Sequence, residues 1–97
     1  MVSQSTKRVK LMKFEASRCA PCRYMVPIID SVLKDSLYSN VELVNVNVDD
    51  ETGQEAARKF SVRSIPTFIL LDNKDQVVDI LIGTASEDQV REFLSKR

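Results

Sequence analysis

Two cysteines separated by two residues, in Arg18-Cys19-Ala20-Pro21-Cys22-Arg23, constrain this chain more than any other stretch. They are its only cysteines, and they fall where a short apolar run gives way to a long helical pattern. Pro21 suits the first turn of a helix, where its missing N–H is no loss and its fixed φ is already helical. Cys19 then lies at the helix start, where unpaired backbone N–H groups and the positive end of the helix dipole favour a thiolate. The chain must therefore pass from strand to helix at the dithiol.

The patterning on either side supports that passage. Residues 1–8 read as a polar lead-in, and from Val9 the run VKLMKFEA, with Leu11, Met12 and Phe14, suits a strand buried on most of both faces. A helical pattern covers residues 20–38, with Met25, Ile29, Val32, Leu33 and Leu37 on one face, and Pro27 inside it predicts a kink rather than a break. Residues 41–48 hold Val41, Leu43, Val44, Val46 and Val48 and read as a second, largely buried strand. Asp49-Asp50-Glu51 suits a helix start, and Ala56, Ala57 and Phe60 mark a short helix ending near Ser61.

After Pro66 the run TFILL is a third strand, Asp72-Asn73-Lys74-Asp75 a turn, and residues 77–82 a fourth strand, so these two strands form an antiparallel hairpin. Gly83 punctuates its end. Ser86 and Gln89 have the spacing of a capping box ahead of Val90, Phe93 and Leu94. The order β-α-β-α-β-β-α predicts an α/β fold: one domain over residues 1–97, with a four-stranded mixed sheet flanked by helices and its first two strands parallel.

Charge and composition narrow the function classes. The net charge is zero, which argues against a nucleic-acid binder, although residues 1–34 carry seven basic against two acidic side chains and residues 35–97 carry seven against twelve. The half holding the cysteines is the positive one. No run is apolar enough to cross a bilayer or to act as a signal segment, so no membrane association is expected. A single C-x-x-C, without the spaced pairs of a secreted disulfide scaffold, fits a reducing compartment, and the expected location is cytoplasmic.

A thiol-disulfide exchanger needs an attacking sulfur of lowered pKa, a second sulfur close enough to resolve the mixed disulfide, and little strain when the two join. A shift from about 8.5 to about 7 gives roughly ten times more thiolate at neutral pH. Cys19, flanked by Arg18, is the attacking candidate, and Cys22, one turn inward, is the resolving one. Inert packing of two small side chains and metal binding are the rivals. Zinc commonly takes four Cys or His ligands, and with two cysteines and no histidine a metal or cluster site would need a second subunit or carboxylates.

From Val9 onward the chain resembles the thioredoxin family. Phe14-Glu15-Ala16-Ser17-Arg18-Cys19-Ala20-Pro21-Cys22-Arg23 is similar to the family's active-site segment, Pro27 to its helix proline, and Val46-Asn47-Val48-Asp49 to a strand end. Phe60-Ser61-Val62-Arg63-Ser64-Ile65-Pro66-Thr67 resembles the segment carrying a cis-proline opposite the dithiol, and Gly83 the glycine of the substrate groove. The resemblance implies a cis Ile65–Pro66 bond and substrate contacts at Ile65, Pro66, Gly83 and Ala20, with the backbone of Ile65 pairing to the substrate peptide.

This chain also departs from the family. An extra N-terminal strand and helix have no room in residues 1–8, so a compact form is expected. Arg18 stands for a usual tryptophan and Ala20 for a glycine; Lys13 stands for a buried aspartate, and the lysine that pairs with that aspartate falls at Asn45. Lys13 is expected to reach water at the strand end, while the functional alternative holds it near Cys22, where its charge would lower that thiol's pKa. Arg18, Lys13 and Pro21 are thus the candidate tuning residues.

The resemblance implies a protein-disulfide reductase, monomeric, needing no cofactor or metal beyond its redox-active Cys19–Cys22 disulfide and recharged by a thioredoxin reductase or a glutathione-type reductant. A non-catalytic binding module docking a larger complex is the alternative of a different class.

Overall fold

The computed structural model describes residues 8–97; residues 1–7 of the polar lead-in lie outside the described residues. Four strands, β1 (Val9–Glu15), β2 (Val41–Asn47), β3 (Thr67–Leu71) and β4 (Val77–Ile82), form one sheet in the order β2-β1-β3-β4. Three helices, α1 (Ala20–Leu33), α2 (Glu51–Lys59) and α3 (Glu87–Leu94), accompany them. β1 and β2 are parallel because α1 carries the chain back across the sheet, whereas β3 runs antiparallel to both β1 and β4.

Period-two alternation divides the core between the two faces of the sheet. On one face Leu11, Phe68 and Leu70 pack with Met25, Ile29 and Val32 of α1 and with Val90, Phe93 and Leu94 of α3. On the other, Phe14, Ile69 and Leu71 gather Val46, Ala56, Phe60 and Ile65, and the Phe14 and Phe60 rings meet edge to face at 6.2 Å. β3 is buried at all five positions, as the TFILL run predicts for an interior strand. The capping box forms: Gln89 N–H donates to Ser86 Oγ while Gln89 Oε1 accepts from Ser86 N–H.

Two expectations need correction. The helix over residues 20–38 stops at Leu33, and a short 3-10 turn, Ser36–Tyr38, follows it. Asp35 is the cause. Its carboxylate accepts from Leu37 N–H and from the Arg91 guanidinium of α3, holding residue 35 extended, so Tyr38 is buried while Leu37 is exposed. α1 nonetheless runs through Pro27 without a break. The second strand, expected to be largely buried, is an edge strand whose Leu43, Val44 and Val46 are only half-buried, because β1 is its one partner.

Short polar contacts fix the end of β2 against both α2 and the loop that enters α1. Asp50 caps α2 by accepting from Gly53 N–H at 2.7 Å, and Gly53 lies so close to β2 that an added Cβ would sit 1.7 Å from the Asn47 carbonyl oxygen. Asp49 reaches the loop before α1, accepting from both the N–H and the hydroxyl of Ser17 at 3.1 and 2.9 Å. The Ser17 backbone bond, then its hydroxyl, then the charge of Arg18 hold the Asp49 carboxyl below its ordinary value.

Gly53→Ala should therefore destabilise the fold by about 2–3 kcal/mol in urea titration, since neither backbone at the contact can yield. Asp49 gives a pH-dependent prediction. A depressed carboxyl contributes its stabilisation above the ordinary value of 3.8 and loses it as pH falls through the depressed one. Asp49→Ala should thus melt below wild type at neutral pH, with the gap in Tm closing under acid conditions.

Candidate active site

Cys19 occupies the N-cap of α1 with an extended backbone, and its Sγ accepts from the Cys22 N–H at 3.1 Å. Pro21 stands in the first helical turn, where no intrahelical N–H partner is needed. The two sulfurs are joined as a disulfide across a Cα separation of 5.2 Å. A single helical turn brings residues i and i+3 onto one face, so the pair closes over one end of α1 without moving the helix. Cys19 is 7% exposed and Cys22 2%, an asymmetry in the expected direction though a small one.

Four segments converge on this end of the sheet. β1 ends at Glu15 and leads through residues 16–19 into α1; Val48 N–H donates back to the Glu15 carbonyl at 2.8 Å, and Asp49 holds Ser17. β3 starts opposite the end of β1, with Thr67 in register with Phe14, so Ile65 and Pro66 lie at the same level. The Ile65–Pro66 bond is cis. Gly83, at the close of β4, takes a φ of 89°, a region glycine enters freely, and its N–H donates to the Pro66 carbonyl at 2.8 Å. Pro66 is buried and Ile65 half-buried, while Ala20 is exposed beside the disulfide.

The charged candidates divide differently from expectation. Lys13 does not reach water: it is 4% exposed, and its ammonium pairs with Glu15 Oε1 at 3.0 Å. β1 lies between β2 and β3, so a side chain in mid-strand has no lateral way out, and the nearest counter-charge is two residues on, on the same face. Arg18 is exposed and acts on Asp49. Arg23 donates to the Ser17 carbonyl at 3.1 Å and so belongs to the loop rather than the sulfurs.

Sequence patterning passed over three contributors. Glu15 was legible in principle, because it follows Lys13 at strand spacing. Asp49 was not, since its partner Ser17 is distant in the chain, and Asp49-Asp50-Glu51 reads equally well as three helix-start acids. Met25 Sδ accepts from Ala85 N–H at 3.4 Å and ties the segment after Gly83 to α1.

A cleft of about 440 Å³ opens among Met12, Val44, Phe60 and Leu71 near the start of β1, away from the sulfurs. Among the described residues no three His, Cys, Asp or Glu side chains gather as a metal site, and no helix is long and apolar enough to cross a membrane.

Comparisons with known proteins agree with this geometry. The family profile described as Thioredoxin matches residues 1–96. A thioredoxin of Rickettsia bellii is 35% identical over 85 residues, covering 88% of this chain and 77% of that protein. One of Haemophilus influenzae is 36% identical over 86 residues, covering 89% and 77%. The X-ray structure of Fasciola hepatica thioredoxin superposes with a TM-score of 0.78 at 33% identity, over 93% of this chain and 81% of that one. With a C-x-x-C disulfide closing the first turn of α1 in a four-stranded mixed sheet, this chain belongs to the thioredoxin family of thiol-disulfide oxidoreductases.

Proposed function

We propose that this protein reduces disulfides in other proteins, with Cys19 attacking and Cys22 resolving. The observation carrying the assignment of roles is the N-cap geometry: the Cys22 N–H already points at Cys19 Sγ, so a thiolate there gains a charge-assisted hydrogen bond and the helix dipole together. In the reduced protein the Cys19 thiolate attacks one sulfur of the substrate disulfide. That bond breaks, and the second substrate sulfur leaves with the electron pair and takes a proton from water. Cys22 then loses its proton and attacks Cys19 Sγ, forming the intramolecular disulfide and releasing the other substrate thiolate. The substrate gains two electrons and the dithiol gives them up, leaving Cys19 and Cys22 joined as the oxidised form.

Family membership supports a separate reductase, of the thioredoxin-reductase or glutathione type, as the source of those electrons, with no resident cofactor and a monomeric protein acting in the cytoplasm. Ile65, Pro66 and Gly83, at the same end of the sheet as the dithiol, and Ala20 beside Cys19 serve as the peptide-binding rim, the Ile65 backbone pairing with the substrate as an added strand. Docking without catalysis would have no use for a sulfur pair at a helix N-terminus.

Lys13 is proposed to tune Cys22. Lys13 alternates onto the same sheet face as Leu11, which packs against α1, and its ammonium is buried with Glu15, which supports the reading. Glu15 offsets part of that charge, so the two should act in opposite directions. Arg18 supports the Cys19 thiolate less than an isolated cation would, because Asp49 shares its charge.

With dithiothreitol as reductant and insulin as substrate, wild type should turn over and Cys19→Ser should be inactive. Cys22→Ser should accumulate a mixed disulfide visible by mass spectrometry, and a trapped adduct on Cys22 instead would reverse the roles. In thiol titrations of the reduced protein, Lys13→Met should raise the pH midpoint of Cys22, and Glu15→Gln should lower it. Unchanged midpoints in both variants would remove Lys13 from the mechanism.

A further inference from the structure

The dithiol does not account for an apolar stripe on β4. Ile80 and Ile82 follow one another at strand spacing and are 45% and 67% exposed. β4 is an edge strand whose outer side is unpaired among the described residues. Edge strands ordinarily carry charges, prolines or bulges that keep other chains away; the ladder to β4 has one register shift, opposite Leu70 and Leu71, and beyond it the exposed aliphatic side chains of Ile80 and Ile82 do the opposite. On the other face of β4, Asp79 pairs with Lys96 at 2.6 Å and Leu81 packs against the core, so that side is covered.

Beside the stripe lies a cleft of about 160 Å³, lined by Phe60, Val62, Ile69, Ile80 and Ile82, with Arg63 its one charged lining residue. Ile69 is in register with Ile80 and belongs to the buried core, so the floor of the cleft is part of that core. The cleft is smaller than the sites that enclose whole small-molecule ligands and matches a single side chain. It is also continuous with the candidate active site: Ile82 precedes Gly83, whose N–H bonds the Pro66 carbonyl, and Arg63 and Ser64 lead directly into Ile65 and Pro66.

We propose that this cleft is a specificity subsite for an extended segment of the protein being reduced, taking one aliphatic or aromatic side chain against Ile80 and Ile82 and a neighbouring carboxylate against Arg63. It rests on the reading that Cys19 and Cys22 reduce protein disulfides. The open edge of β4 can pair with the same segment as an added strand, while the cleft selects its side chain. An extended chain advances about 3.3 Å per residue, so Ile80 lies about 10 Å from Gly83 and the selected side chain is roughly three residues from the substrate cysteine.

The test uses cysteine-linked peptide dimers reduced with dithiothreitol as electron source. One peptide carries Leu-Glu three residues from its cysteine, the second Ser-Gln and the third Leu-Lys. Wild type should favour Leu-Glu over Ser-Gln about tenfold in kcat/KM. Ile80→Thr with Ile82→Thr, which keeps β-branching at exposed positions, should bring that ratio close to one. Arg63→Glu should transfer the preference to Leu-Lys, a gain that misfolding cannot produce. Equal use of the peptides by wild type, or a preference that survives both sets of variants, overturns the subsite alone. Variants that change only self-association in sedimentation, with selectivity intact, make the stripe a contact between copies and also overturn it. A wild type that reduces neither the peptides nor insulin overturns the reductase reading and the subsite with it.

Discussion

The hydrogen bond from the Cys22 N–H to Cys19 Sγ, at the N-cap of α1, is the interaction on which the rest of the site depends. It exists because β1 must turn into a helix at that point, and a helix start has backbone N–H groups with no carbonyl to bind. In most proteins an oxygen of Ser, Thr or Asp fills this position. A sulfur there caps the helix and is also polarised by it, so one local device supplies both fold and reactivity. Pro21 in the first turn and Asp49 bracing Ser17 keep the entry to that helix in place.

Around this point the sheet acts as an alignment device. Parallel β1 and β2 both end on the side of the dithiol, while antiparallel β3 begins there, so two strand ends, a helix start and a strand start share one edge of the molecule. Gly83 closes the arrangement by bonding the Pro66 carbonyl from the end of β4. The surrounding side chains are therefore held by the backbone ladder.

The Lys13–Glu15 pair shows a different economy. Burying one charge between two strands would be prohibitive; burying it with a partner at 3.0 Å makes it tolerable without making it a strong source of stability. On the opposite face, the half-covered clefts beside α2 and the stripe on β4 show how much apolar surface a short chain leaves open.

Local chemistry was legible in the residues themselves: the sulfur pair at a helix start, the TFILL strand buried on both faces, the Asp72-Asn73-Lys74-Asp75 turn and the Ser86–Gln89 capping box all depend on neighbours a few positions apart. The fates of Lys13, Asp35 and β2 were not. Lys13 is buried because two strands flank β1, α1 ends at Leu33 because Asp35 meets Arg91 from α3, and β2 is half-exposed because it falls at a sheet edge. Each depends on a partner far away in the chain. Sequence spacing determined which side chains share a face and which helix end is polarised; tertiary structure alone decided which charges lose their water, because desolvation is set by what the whole fold packs around a residue.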